Sequence, residues 1–109
     1  MSKNKNIIIL NNYLKLEGFN KIIGLIGKEK DKVVIFKTRF GIHTFGLRFP
    51  IDCIVLNRRD KVADLRENLQ PGRIFFWNPL HGVVIELPAG GIKKMKIEIR
   101  DELALSNPA

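Results

Sequence analysis

IDCIVLNRRDKVADLR, residues 51–66, is the stretch on which the fold turns. Ile51 to Leu56 is apolar apart from Asp52. The polar Asn57-Arg58-Arg59-Asp60 follows, and a second run with strand character covers 61–66. Two such runs joined by a polar connection of this length read as an antiparallel hairpin. Pro50 stands at the entrance of the first strand, where its missing N–H costs no ladder bond.

Working outward, 6–10 is a β-branched run closed by the turn residues Asn11 and Asn12, and 33–36 is a second. Residues 73–77 are apolar and aromatic, and 83–87 is another β-branched run. Ile97 and Ile99 alternate with Glu98 and Arg100, as in a half-exposed strand. Helical periodicity is confined to two places. Phe19, Ile22, Ile23 and Ile26 share one face over 17–26, with Gly27 as a stop, and residues 88–94 read as a turn entering a short helix. Strands outnumber helices and connections are short. The expected class is α+β and predominantly β: a compact, barrel-like antiparallel or mixed sheet with one or two short helices.

The chain has 109 residues, the size of one domain, so 1–109 is read as a single unit. Its 45% hydrophobic and 28% charged residues place it in the globular class. The apolar run after the basic N-terminus is only Ile7 to Leu10, too short for a secretory segment, and no stretch approaches a membrane span. A cytoplasmic protein with no membrane partner is expected. The single cysteine, Cys53, excludes an internal disulfide, and its apolar neighbours make it a buried small hydrophobe rather than a reactive thiolate. The tail 106–109 is expected to fray.

Charge is uneven. Residues 1–50 hold ten Lys and Arg against three Asp and Glu, whereas 51–109 hold nine against eight. A basic half attracts polyanions, yet the lysines in GKEKDKVV alternate with acids, and no phosphate loop, RNP-like box or helix-turn-helix spacing is present. Nucleic-acid binding is therefore expected to be weak and nonspecific at most.

Gly41-Ile42-His43-Thr44-Phe45, Leu47-Arg48-Phe49-Pro50-Ile51-Asp52, the following hairpin and Glu86-Leu87-Pro88-Ala89-Gly90 together resemble the domain of unknown function family 192, also called the uncharacterised ancient conserved region family. The family-like core covers about 33–103. The resemblance implies a compact, mostly β domain without an established activity, cofactor or partner. The chain departs from the family at Gly46, where an aromatic is usual, and at Gly72, where a tryptophan often follows the proline. Asp60, Lys96 and Arg100 stand at family glycines. Loss of bulk at Gly46 and Gly72 is expected to reshape any shared pocket.

Candidate site residues are His43, Thr44, Arg48, Asp52, Glu86 and Trp77. Asp52 and Glu86 sit in otherwise apolar strands, where a carboxylate must find hydrogen bonds or an opposite charge. Either they cap backbone N–H groups at neighbouring turns, with Arg48 or Arg39 as ion partner, or they line one cleft with His43, Thr44 and Arg48. Both arrangements place Asp52 and Glu86 on one side of the fold. Trp77, in an aromatic run beside Arg73, belongs either to the core or to the cleft. No pair among His43, His81 and Cys53 has zinc spacing, so no metal is expected, and nothing calls for a cofactor. Thr38 and Thr44 are poor nucleophiles without a neighbouring base. The principal reading is a non-catalytic module that binds a small polar ligand or a protein partner at a polar cleft around Asp52 and Glu86. A small hydrolase using the carboxylate pair, and a weak polyanion binder acting through the basic half, are the alternatives.

Overall fold

The β-branched runs become strands. The computed structural model describes residues 7–10, 13–15, 33–39 and 41–105. Within them the chain runs β1 (Ile7–Leu10), β2 (Tyr13–Lys15), β3 (Val33–Lys37), β4 (Ile42–His43), β5 (Ile51–Leu56), β6 (Val62–Leu69), β7 (Ile74–Phe75), β8 (Val83–Pro88), the single described helix α1 (Gly91–Met95) and β9 (Glu102–Leu105). Five strands form a mixed sheet in the order β2-β3-β8-β5-β6, parallel only between β2 and β3. β1 pairs in parallel with β9, and β4 antiparallel with β7. The fold is predominantly β with one short helix, as expected. Among the described residues the sheets stay open rather than closing into a barrel.

Both faces of the five-stranded sheet are covered, which explains the nearly continuous apolar reading of Ile51 to Leu56: all six residues of β5 are buried. On one face Val34, Phe36, Ile51, Cys53, Val55 and Val84 pack with Ile42, Leu47, Phe75 and Trp77. On the other, Ile35, Ile54, Leu56, Ile85 and Leu87 pack with Ile92, Ile97 and Leu103. Each fully buried aliphatic side chain contributes roughly 1.5–3 kcal/mol. The two cores flanking β5 and β8 are therefore the main source of stability.

The hairpin forms as read. β5 and β6 are antiparallel, and Asn57 Oδ1 accepts the N–H groups of Arg59 (2.8 Å) and Lys61 (3.0 Å) to set the turn. Asp60 supplies the left-handed residue, φ 62°. The second strand runs past residue 66 to Leu69, because bulges absorb two register shifts.

Other boundaries differ. Of the apolar and aromatic run 73–77, only Ile74–Phe75 is strand. Residues 97–100 are not extended: Ile97 is buried and Ile99 exposed, where a strand would place both on one face. The cause is local. Lys96 and Arg100 have φ of 59° and 80°, and Asp101 Oδ2 accepts the Glu98 N–H at 2.8 Å, closing a turn before β9 begins. Gly46 and Gly72 also have left-handed φ, 91° and 78°, so their turns disfavour a side chain with a Cβ. The helix expected at 17–26, the turn at 11–12 and the tail at 106–109 lie outside the described residues.

Candidate functional site

Asp52 lies near the start of β5, between β8 and β6, and is 0% exposed. Opposite it, β6 carries an extra residue between the pairs Cys53↔Arg66 and Ile51↔Leu69, and Asn68 adopts a left-handed φ of 53°. The bulge turns the Asn68 N–H toward Asp52 Oδ1, which accepts it at 2.8 Å. Oδ2 accepts the N–H groups of Gly90 (3.1 Å) and Ile92 (2.9 Å) at the start of α1. One carboxylate thereby ties three chain segments together. Its partners are backbone amides, and neither Arg39 nor Arg48 is among them.

Glu86 occupies the other face. β8 pairs with β5 so that Asp52 opposes Leu87 while Cys53 opposes Glu86. Directly paired residues point to the same side of a sheet and successive residues to opposite sides. Asp52 therefore joins the side of Ile54 and Leu87, and Glu86 the side of Cys53 and Val84. The expectation that the two carboxylates lie on one side is corrected here. With them falls the carboxylate-pair hydrolase, which needs both groups at a common reactive point.

Glu86 belongs to a row crossing four strands: Val34 on β3, Glu86 on β8, Cys53 on β5 and Arg66 on β6. At the usual strand spacing, Glu86 and Arg66 stand about 10 Å apart with Cys53 between them. Glu86 is 6% exposed, and burial raises its carboxyl from 4.5 to about 7. No hydrogen bond or ion pair to a described residue engages it. Every fully enclosed side-chain nitrogen or oxygen among the described residues has a partner, so this carboxyl keeps a small opening. Burial pushes the Cys53 thiol well up, the Glu86 and Asp52 carboxylates push it further, and Arg66 opposes them. The thiol is a buried hydrophobe, not a nucleophile. The Arg66 guanidinium lies 4.4 Å from the centre of the Phe75 ring, which meets Trp77 edge to face.

The remaining candidates do not converge. Thr44 is buried and structural: its hydroxyl donates to the Gln70 carbonyl (2.7 Å) and accepts the Arg73 N–H (2.8 Å), holding the turn before β7. Trp77 is core, with Nε1 donating to the His81 carbonyl at 2.7 Å. His43 is exposed, stacked on Phe45, and its Nδ1 accepts the Phe45 N–H. Arg48 is exposed. Glu86 and Trp77 lie on the side of the Cys53–Val84 core, and Asp52 on the other. Arg66 was missed because its role depends on the register of β6, which composition does not reveal.

No protein-family model matches the sequence, and no curated protein matches it. Two solved structures share the fold. A protein of unknown function from Novosphingobium aromaticivorans DSM 12444 has a TM-score of 0.70 at 14% identity, over 88% of this chain and 70% of its own. A Sinorhizobium meliloti 1021 protein described as a putative transcription regulator has a TM-score of 0.65 at 15% identity, over 88% and 76%. At these identities the likeness concerns the fold alone.

Proposed function

We propose that the chain is a non-catalytic binding domain. Its site lies on the aromatic face of the five-stranded sheet, where Glu86 receives an amine or other hydrogen-bond donor of a small polar ligand. The observation that carries this is the Glu86 carboxyl itself, which is buried, unpartnered among the described residues and beside an opening. Such a group destabilises the free protein, and a donor-bearing ligand removes that cost. Arg66 and the aromatic side chains offer a second polar anchor and apolar walls. Asp52 holds the scaffold and takes no part.

The test is an amide chemical-shift titration at pH 8 with ethylenediamine and with glucose as probes. Saturable shifts centred on Cys53, Arg66 and Glu86 with either probe, lost in Glu86→Gln, support the reading. Shifts that survive Glu86→Gln, or none with either probe, reject it.

A protein partner is the second reading. Phe45, Ile74 and Phe76 are 49%, 52% and 70% exposed around the outer side of the β4–β7 pair. A partner-dependent loss of exposure at these residues, removed by Phe76→Ser, would favour it. Membership of the domain of unknown function family 192 and a cytoplasmic setting complete the proposal. The two motif blocks at 41–52 and 86–90 support the former. A family structure lacking the Asp52 bonds to the 90–92 turn would count against it. No described helix is long and apolar enough to cross a membrane. Secretion of the natural protein would contradict the cytoplasmic setting.

A further inference from the structure

At one end of the sheet three central strands stop together, with Lys37 of β3 and Leu56 of β5 both opposite Val83 of β8. Beyond that row lies an open groove formed by two overlapping cavities of about 460 and 410 Å³, which share Asn57, Arg58 and Leu80. Among the described lining residues Lys37, Arg39, Arg58 and Arg59 are basic, His81 lies beside them, and none is a carboxylate. Arg39, Arg58 and Arg59 are exposed, and no ion pair with a described residue engages their guanidinium groups.

This concentration was hidden in the sequence. Arg58 and Arg59 come from the half of the chain whose charges nearly balance, and the strand register sets them beside Lys37 and Arg39 from the basic half. The exposed guanidinium groups of Arg39, Arg58 and Arg59, with no ion pair to a described residue, favour an anionic ligand. Guanidinium forks match phosphate oxygens in pairs.

The lining also has surfaces suited to a base or sugar. Arg39 runs along the Gly82 backbone, with Cγ and Nε each 3.6 Å from where a Cβ would stand, and Leu80 beside it is 67% exposed. Cationic and apolar surfaces side by side are what a single strand uses, through phosphate contacts and stacking on guanidinium planes. An acidic peptide would use the charge and leave these surfaces idle. We propose that this groove binds the phosphodiester backbone of a single-stranded nucleic acid, without reading its sequence.

The experiment is fluorescence anisotropy of fluorescein-labelled dT12 and dA12 with the full chain across 50–200 mM salt. Phosphate contacts from the three guanidinium groups should lower the affinity about 20-fold over that range, equally for both oligonucleotides. The double variant Arg58→Gln/Arg59→Gln should bind at least about tenfold more weakly at 50 mM salt, and its log–log salt slope should be shallower by about 1.4. Its melting temperature should match the wild type, since both side chains are exposed. Absence of binding at 50 mM salt overturns the proposal, as does a double variant with unchanged affinity and slope. Equal competition by a poly-glutamate peptide of the same charge also overturns it, by making the groove a protein-docking surface.

Discussion

Asp52 and Glu86 leave opposite faces of one sheet, although Asp52 is the immediate neighbour of Cys53, the residue paired with Glu86. Two buried carboxylates in adjacent strands thus meet opposite conditions: Asp52 accepts three backbone N–H groups, and Glu86 has no partner among the described residues. The first arrangement stabilises the fold, and the second opposes it.

Asp52→Ala should leave the N–H groups of Asn68, Gly90 and Ile92 without their acceptor and cost about 4 kcal/mol, as charge-assisted bonds and stranded buried donors are lost together. Asp52→Asn retains one oxygen, which serves either Asn68 or the 90–92 turn but not both, and should cost about 2 kcal/mol. Urea unfolding of both variants checks the order. A stable Asp52→Ala would show that the bulge and the helix start do not depend on this side chain.

Glu86 makes stability depend on pH. Its folded value of about 7 lies above the ordinary 4.5, so between those values the folded state holds more protons than the unfolded state. Stability is then fully present below about pH 4.5 and is lost as pH rises through about 7, by about 3 kcal/mol in all. Glu86→Gln should remove this fall and exceed the wild type above pH 7. Urea midpoints at pH 5, 6, 7 and 8 read both effects, and a wild-type curve parallel to that of Glu86→Gln would contradict the assignment.

Lys96 and Arg100 hold left-handed backbone conformations that favour glycine. Each conformation costs roughly 1–2 kcal/mol, of which the greater freedom of glycine in the unfolded chain recovers part. Lys96→Gly and Arg100→Gly should therefore each raise stability by about 0.5–1 kcal/mol. Thermal melting decides it, and a loss in either variant would mean that the long side chain contributes more than the backbone conformation costs.

These cases mark where the sequence was legible. The strand Ile51–Leu56, its hairpin, β8 and the helix after Pro88 follow from local composition, because turn residues and β-branched runs act over a few neighbours. The turn at 98–101 was misread as a strand, since alternation at Ile97 and Ile99 carries no trace of the Asp101 bond to Glu98 that bends the chain. Asp52 and Glu86 were recognisable as buried carboxylates, but their faces depend on the register between β5 and β8, which joins residues more than thirty apart. The grouping of Arg58 and Arg59 with Lys37 and Arg39 is likewise a product of register.

Cys53 offers an internal probe of these opposing effects. It is the only cysteine, it is 0% exposed, and it lies on β5 between β8 and β6, so reaching it requires the sheet to open. With the thiol pushed well up by burial and by Glu86, the native protein should resist 5,5′-dithiobis(2-nitrobenzoate) at pH 8, and labelling should proceed only through opened molecules. Labelling then tracks stability. Glu86→Gln removes the buried negative charge at that pH and should slow the reaction up to about 150-fold, the factor corresponding to about 3 kcal/mol. Asp52→Asn should accelerate it by about 30-fold for a cost of about 2 kcal/mol. Rapid labelling of the native wild type, insensitive to both substitutions, would mean that β5 is reached without unfolding and that the aromatic face is more open than its burial implies.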